Sequence, residues 1–281
     1  MLEILSILFK IILILVFLIF ILFIIMENRD FEVNEINIWM DNLPEGFDKY
    51  RICHLSDMHN KIWGDKLINR IKESKVDIVV ITGDIVERKK NFQEMIDQIR
   101  KINKICQVYY VSGNHEVWCN KLDDIKAEFK KMGGKVLDND CIFLNNKGDK
   151  VMLFGLSDPD NYGFYLSEEK SEKIFNKKIP EIIGNYNGVK ILLSHRPNFI
   201  DIFEKYKIDL ILSGHTHVGQ FHLPFYVAIY ASNQGFFPKY SDGYYKKGNS
   251  QMIISKGMHS SMRTFRINCP KEMIVVNLLR K

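Results

Sequence analysis

The chain has 281 residues, 46% hydrophobic and 26% charged, with a formal net charge of +5 at pH 7. That length is ample for a core without covalent staples, and a modest positive charge not gathered into a basic tract excludes a nucleic-acid surface as the organising feature. The five cysteines, Cys53, Cys106, Cys119, Cys141 and Cys269, are odd in number, scattered and without a C-x-x-C pair, which excludes a disulfide framework. Cys53 and Cys106, in or beside apolar runs, read as small buried hydrophobes.

In chain order, residues 11–26 carry no charge, and the apolar run extends upstream past Lys10 to Ile4. With Lys10 snorkelling, the segment is long enough to cross a hydrocarbon core of about 30 Å. A cleaved signal peptide would have a shorter apolar region followed by small residues, whereas this one ends Ile24-Ile25-Met26-Glu27. Residues 1–30 therefore read as an uncleaved transmembrane anchor and residues 31–281 as one globular domain. Only Lys10 precedes the apolar core and Arg29 follows it, so the free amino terminus tips the expectation toward an extracytoplasmic domain. Residues 31–39 alternate apolar and polar, predicting an edge strand joining anchor to sheet, and Pro44-Glu45-Gly46 turns the chain. Residues 65–75, 91–104 and 123–132 carry apolar residues at helical spacing, the last closed by Gly133 as a C-cap. Short strands at Val136-Leu137, Ile142-Phe143-Leu144 and Met152-Leu153-Phe154 mark the start of a second sheet. Met252-Ile253-Ile254-Ser255 and Met273-Ile274-Val275-Val276-Asn277 are expected at its end. Between residues 221 and 245, nine of twenty-five residues are aromatic against 12% overall. That density predicts a packed strand pair in preference to a lid.

Five apolar runs end abruptly in polar residues able to hold a metal. Val79-Val80-Ile81-Thr82-Gly83 delivers Asp84, and Ile52-Cys53-His54-Leu55-Ser56 delivers Asp57 and His59. Val108-Tyr109-Tyr110-Val111-Ser112-Gly113 delivers Asn114 and His115, and Val189-Lys190-Ile191-Leu192-Leu193-Ser194 delivers His195. Ile208-Asp209-Leu210-Ile211-Leu212-Ser213-Gly214 delivers His215 and His217. In open α/β sheets, ligands bind outside the carboxyl ends of the strands, so these tips can converge. Asp57, His59, Asp84, Asn114, His195, His215 and His217 are too many for one tetrahedral ion. Two ions sharing one carboxylate, with Asp84 the central candidate, would use all seven.

The chain resembles the calcineurin-like metallophosphoesterases, whose signature runs D-x-H, G-D, G-N-H-[DE], H and G-H-x-H. Here these are Asp57-Met58-His59, Gly83-Asp84, Gly113-Asn114-His115-Glu116, His195 and Gly214-His215-Thr216-His217. The resemblance, strongest to membrane-anchored bacterial phosphodiesterases, implies an α/β fold: a two-sheet sandwich flanked by helices in four α/β/β/α layers, preceded here by the transmembrane helix. It implies that one ion takes Asp57, His59, Asp84 and His217 and the other Asp84, Asn114, His195 and His215. It also places His115 at the leaving group as a general acid, oriented by Glu116 or Asp57. The mixed O and N set accepts manganese, iron or zinc. The implied reaction is hydrolysis of a phosphodiester or pyrophosphate-type bond by a metal-activated water, on a small-molecule or lipid-like substrate. The alternatives are a phosphomonoesterase or protein phosphatase, or a non-catalytic scaffold of the same fold. Val218 and Lys256 stand where the branch usually has Gly and Arg. Arg196 reads equally as an anion-steering group or a solvated helix-start charge. His54, out of phase with Asp57, is expected to point away from the site; His222 is a candidate substrate contact, and His259 has no assigned role.

Overall fold

A computed structural model of the chain describes residues 2–281 except 88–91, 217–221, 224–226, 229, 232–234 and 260–265. The amino-terminal helix α1 (Leu2–Arg29) is apolar throughout residues 11–26, where most side chains are exposed, and only its last turn meets the packed body. Its segment Glu3–Arg29 has a mean hydropathy of 3.4 in its most apolar window, so it is long and apolar enough to cross a membrane.

Two six-stranded sheets follow. The first contains β1 (Phe31–Met40), β2 (Arg51–Leu55), β3 (Ile78–Thr82), β4 (Val108–Val111) and β5 (Lys135–Val136). The second contains β6 (Asp140–Asn146), β7 (Asp149–Leu156), β8 (Lys190–Ser194) and β9 (Leu210–Ser213). Two short ribbons intervene, β10 (His222–Leu223) with β11 (Val227–Ala228) and β12 (Tyr230–Ala231) with β13 (Gly235–Phe236). Strands β14 (Gly243–Lys247) and β15 (Ser250–Ile254) complete the second sheet, and β16 (Lys271–Arg280) returns to the first. The sheet orders are β1-β16-β2-β3-β4-β5 and β14-β15-β9-β8-β7-β6.

Strand alternation explains why the sheets stack. In β3, Val79 and Ile81 face one core while Ile78 and Val80 face another, and in β8 Ile191 and Leu193 face the second while Leu192 faces a third. Strands apolar on both faces must be covered on both. The first core is closed by α2 (Asp65–Glu73), α3 (Gln93–Asn103) and α5 (Leu122–Lys131), with the short α4 (Asn114–Trp118) between the last two in sequence, and the third by α6 (Glu168–Ile183) and α7 (Ile200–Lys205). The middle core lies between the two sheets, giving the expected four layers.

The edge strand β1 and the three helices form where the sequence pattern placed them, and Gly133 follows α5 with φ +79. Two strands fall elsewhere. The Met273–Asn277 run, expected at the end of the second sheet, lies within β16, between β1 and β2 of the first. Both sheets present an apolar face to the same middle core, so apolar alternation alone does not decide membership; ten residues of parallel pairing with β1 do. Val136 likewise closes the edge of the first sheet, and the second begins at β6.

His54 is fully buried, with Nε2 2.8 Å from Thr82 Oγ1, and is not among the described residues clustered for metal. Burial lowers its pKa from 6.5 to about 3. Neutral His54 therefore contributes stability that is complete above the unfolded value and is lost as pH falls from 6.5 toward 3. Between pH 7 and pH 5 this one group should remove about 2 kcal/mol. Denaturant unfolding of the detergent-solubilised chain should show that loss reduced in His54→Gln; an identical pH dependence in both proteins would contradict the assignment.

Candidate metal centre

The tips of β2, β3 and β4 in one sheet and of β8 and β9 in the other meet where the sheets adjoin. His195 spans the gap: its Nδ1 lies 2.7 Å from the Thr82 carbonyl oxygen at the end of β3. A carbonyl only accepts, so Nδ1 carries a hydrogen and Nε2 faces the cleft.

Delivering side chains into one point from short tips bends the backbone hard. Asp57, His59, Asp84 and His215 have φ of 51°, 43°, 52° and 70°, a region costly for residues with a Cβ. Such left-handed backbone at four neighbouring positions marks a site whose geometry the surrounding structure enforces. Glycine makes the crowding possible. A Cβ on Gly113 would strike the Asp84 carboxylate, and one on Gly214 would strike the Ser56 hydroxyl and Asp57 carboxylate.

Around His195 Nε2 the contacts are short. Asn114 Oδ1 and His215 Nδ1 each lie 3.1 Å away and Asp84 Oδ2 3.3 Å away. His215 can supply at most one hydrogen to three lone-pair atoms, too few to satisfy them. Asp84 Oδ2 is buried with no hydrogen-bond partner among the described residues. A cluster this rich in lone pairs draws a cation, a proton or a metal ion. Burial opposes charge on His195, but the Asp84 carboxylate beside it, with Asp57 and Asp158 behind, prevails and pushes its pKa up to about 10.

On its other side Asp84 faces two more imidazoles, with His59 Nε2 at 3.7 Å and His115 Nε2 at 4.0 Å from Oδ2. The His59 and His115 rings meet edge to face at 4.5 Å. His115 is more open, its side chain 24% exposed, and its backbone N–H donates to Asp84 Oδ1 at 2.9 Å. Asp57 is buried and accepts the His215 backbone N–H at 3.1 Å. Among the described residues, two groups have ligand atoms close enough to hold a metal ion, His59–Asp84–His115 and Asp84–His195–His215, with Asp84 common to both. Their carboxylate and imidazole atoms fit divalent cations of borderline hardness.

Comparison with known proteins agrees with this geometry. A family model described as calcineurin-like phosphoesterase covers residues 50–219.

The chain belongs to the calcineurin-like phosphoesterase family.

Among its relatives, the uncharacterized metallophosphoesterase YkoQ of Bacillus subtilis is 30% identical over 70% of this chain and 71% of its own length. The uncharacterized metallophosphoesterase YkuE of the same organism is 28% identical over 90% and 87%. A crystal structure of a Thermus thermophilus protein is similar in fold, with TM-score 0.50, 11% identity and coverage of 74% of this chain and 89% of that one. Membership of this metallophosphoesterase family points to a phosphoesterase hydrolase.

Of the residues the sequence singled out, Asp57, His59, Asp84, Asn114, His195 and His215 are brought together with His115 at their edge. His217 lies outside the described residues, as do Val218 and the His222 side chain. Arg196 matches neither expectation: it is buried, with Nε and Nη2 each 2.8 Å from the Asp158 carboxylate and Nη2 3.1 Å from Asp160. Lys256 lies 3.9 Å from both Asp242 and Glu272.

Three features were not foreseen. His259 packs beside the centre, its ring centroid 5.4 Å from that of His59. An aromatic wall runs outward from His115, with Trp118 at 5.0 Å and Tyr165 4.9 Å beyond it. Tyr165 and its neighbour Phe164 are 68% and 60% exposed, and Trp118 and Tyr165 help line a 220 Å³ cavity with Arg196 and Phe199. The aromatic 221–245 stretch, expected to pack, divides among its described residues: Phe236 and Phe237 are exposed, while Tyr240 and Tyr245 pack together at 5.3 Å.

The third is Glu116. Fully buried, it does not orient His115; Oε2 accepts from the backbone N–H of Gly113 at 2.7 Å and Asp84 at 3.0 Å, and Oε1 from Ile85 at 2.7 Å and Val86 at 3.3 Å. It locks the Asp84 tip to the Asn114 tip. In Glu116→Gln either amide orientation turns an NH₂ toward two backbone donors, so unfolding free energy should fall by about 2–5 kcal/mol. A denaturant midpoint unchanged from wild type would show that this carboxylate does not hold the tips.

Proposed function

We propose that this chain is a dinuclear metal-dependent phosphoesterase that hydrolyses phosphodiester or pyrophosphate-type bonds. The observation that carries the reading is the Asp84 carboxylate, buried and facing imidazole nitrogens on both sides, a member of both candidate clusters. Asp57, His59, Asp84 and His217 would hold one ion, and Asp84, Asn114, His195 and His215 the other. Ions of manganese, iron or zinc held there would supply an activated water and neutralise phosphoryl oxygens.

The chain's own groups then have distinct tasks. Thr82 holds His195 through Nδ1, so Nε2 is presented to the cleft. His115, at the edge and partly exposed, donates a proton to the departing oxygen. The Trp118–Tyr165 wall beside it offers stacking and apolar contact to a second ester group, which favours a diester over a small monoester. Residues 1–30 anchor the catalytic domain, residues 31–281, to a membrane, with the domain on the extracytoplasmic side. The substrate is a small-molecule or lipid-like phosphoester met at the membrane surface, and nucleic acid is not a partner.

Metal analysis of the loaded full-length protein should give two ions per chain. Asp84→Ala should lose both, whereas His115→Ala should keep them and lose roughly 10²–10⁴ in rate. The His115→Ala deficit should shrink for nitrophenolate esters, whose leaving group needs no proton. One ion or none in the wild type, or metal loss in His115→Ala, would sink these assignments. For the membrane substrate, full-length protein in vesicles should favour a lipid-linked diester over a soluble one by more than the solubilised protein does; equal preference would leave the anchor as mere localisation.

A further inference from the structure

The end of the membrane helix is bonded into the wall of the metal centre. The Asn28 amide makes a reciprocal pair with the backbone of Arg266: Nδ2 donates to the carbonyl oxygen and Oδ1 accepts from the N–H, both at 2.9 Å. Glu27 Oε1 accepts the Cys269 backbone N–H at 2.7 Å. The Asn28 carbonyl, left without a helical partner at the end of α1, accepts from the buried Lys271 ammonium at 2.8 Å. That places a cation at the negative end of the helix. Phe31 follows after Asp30 and is paired with Lys271, so little slack separates helix from sheet.

Arg266 passes this fixation inward. It is 1% exposed, and its guanidinium bonds backbone carbonyls: Nη2 donates to Lys256 at 2.7 Å and to His259 at 2.8 Å, and Nε to His259 at 3.0 Å. Both ends of the 256–259 loop are clamped by one side chain. This loop backs the metal centre. Met258 N–H donates to the Ser56 carbonyl at 3.1 Å. Gly257 sits so near Asp57 that a Cβ there would lie 2.7 Å from the Asp57 Cβ. The His259 ring stands against His59. A buried guanidinium is tolerated only where its acceptors are fixed, and Asn28 fixes the backbone from which it projects.

We propose that Asn28 and Arg266 are positioning residues of the metal centre: the last turn of the anchor supports Asp57 and His59 as well as tethering the domain. This rests on the reading of the centre as metal-binding. Metal affinity on the Asp57–His59 side then depends on whether the anchor is seated, and a chain severed after Asn28 holds that ion more weakly.

The test uses the full-length chain in detergent micelles and Mn²⁺ titrated against a fluorescent chelator. Asn28 lies at the margin of the body, so its replacement leaves the cores intact. Asn28→Ala should weaken one of the two ions by about 10-fold, the lower end of what outer partners of metal ligands cost. The other ion should be unaffected. Asn28→Gln, which keeps an amide, should recover part of the loss. Lys66→Ala, which removes the ion pair with Asp30 at the same junction, should bind both ions as wild type does. Wild-type affinities in Asn28→Ala would overturn the proposal. So would equal weakening of both ions in Asn28→Ala and Lys66→Ala alike, which is a loss of general stability. A wild-type chain that binds no Mn²⁺ would instead overturn the metal-centre reading beneath it, so the two failures are distinguishable.

Discussion

A carboxylate oxygen taken out of water, facing imidazole nitrogens and without a hydrogen-bond partner among the described residues, is a costly thing for a protein to build. Asp84 Oδ2 is that oxygen. The surrounding groups worsen its position unless a cation is present, since His195 Nε2 is also faced by Asn114 Oδ1 and His215 Nδ1. The arrangement makes sense as a receptor for charge, and much of the fold serves to maintain it. Two sheets must abut so that Thr82 on one can hold His195 on the other. Glycines must stand at positions 113 and 214 because any side chain there would occupy the site.

Strain is carried by the residues that face the centre. Left-handed backbone at Asp57, His59, Asp84 and His215 would relax in a free loop. Here it is held by strands buried on both faces and by Glu116, whose two oxygens gather four backbone N–H groups from the Asp84 and Asn114 tips. Burial and the neighbouring Asp84 push the Glu116 carboxyl upward, while the backbone donors oppose that shift and favour its anion. A carboxylate committed to backbone amides stiffens the site without entering it.

The clustered tips were legible in sequence because each places a polar residue directly after an apolar run, a signal local to a few residues. The helices and the edge strand were legible for the same reason. What escaped depends on partners far along the chain. The sheet that takes β16 is decided by pairing with β1, some 240 residues away. Arg196 looked like a free cation because Asp158 and Asp160 are not its sequence neighbours. Glu116, one of two sequence candidates with Asp57 for orienting the adjacent His115, instead reaches back with its oxygens to residues 84–86. The Trp118–Tyr165 wall joins a helix to a loop beyond the second sheet's first strands, and no periodicity announces it.

The amino-terminal helix, read from composition as a tether, is seated at its last turn by contacts to residues 266–271, which fixes the centre's relation to that apolar helix. The proposed chemistry turns on Asp84 joining two ions into one unit. Electron paramagnetic resonance of the Mn²⁺-loaded full-length protein tests that most directly. A shared carboxylate predicts a spin-coupled manganese pair whose signal collapses to that of isolated ions when Asp84 is replaced by asparagine. Spectra of wild-type protein at full loading that show only isolated, uncoupled Mn²⁺ would contradict it.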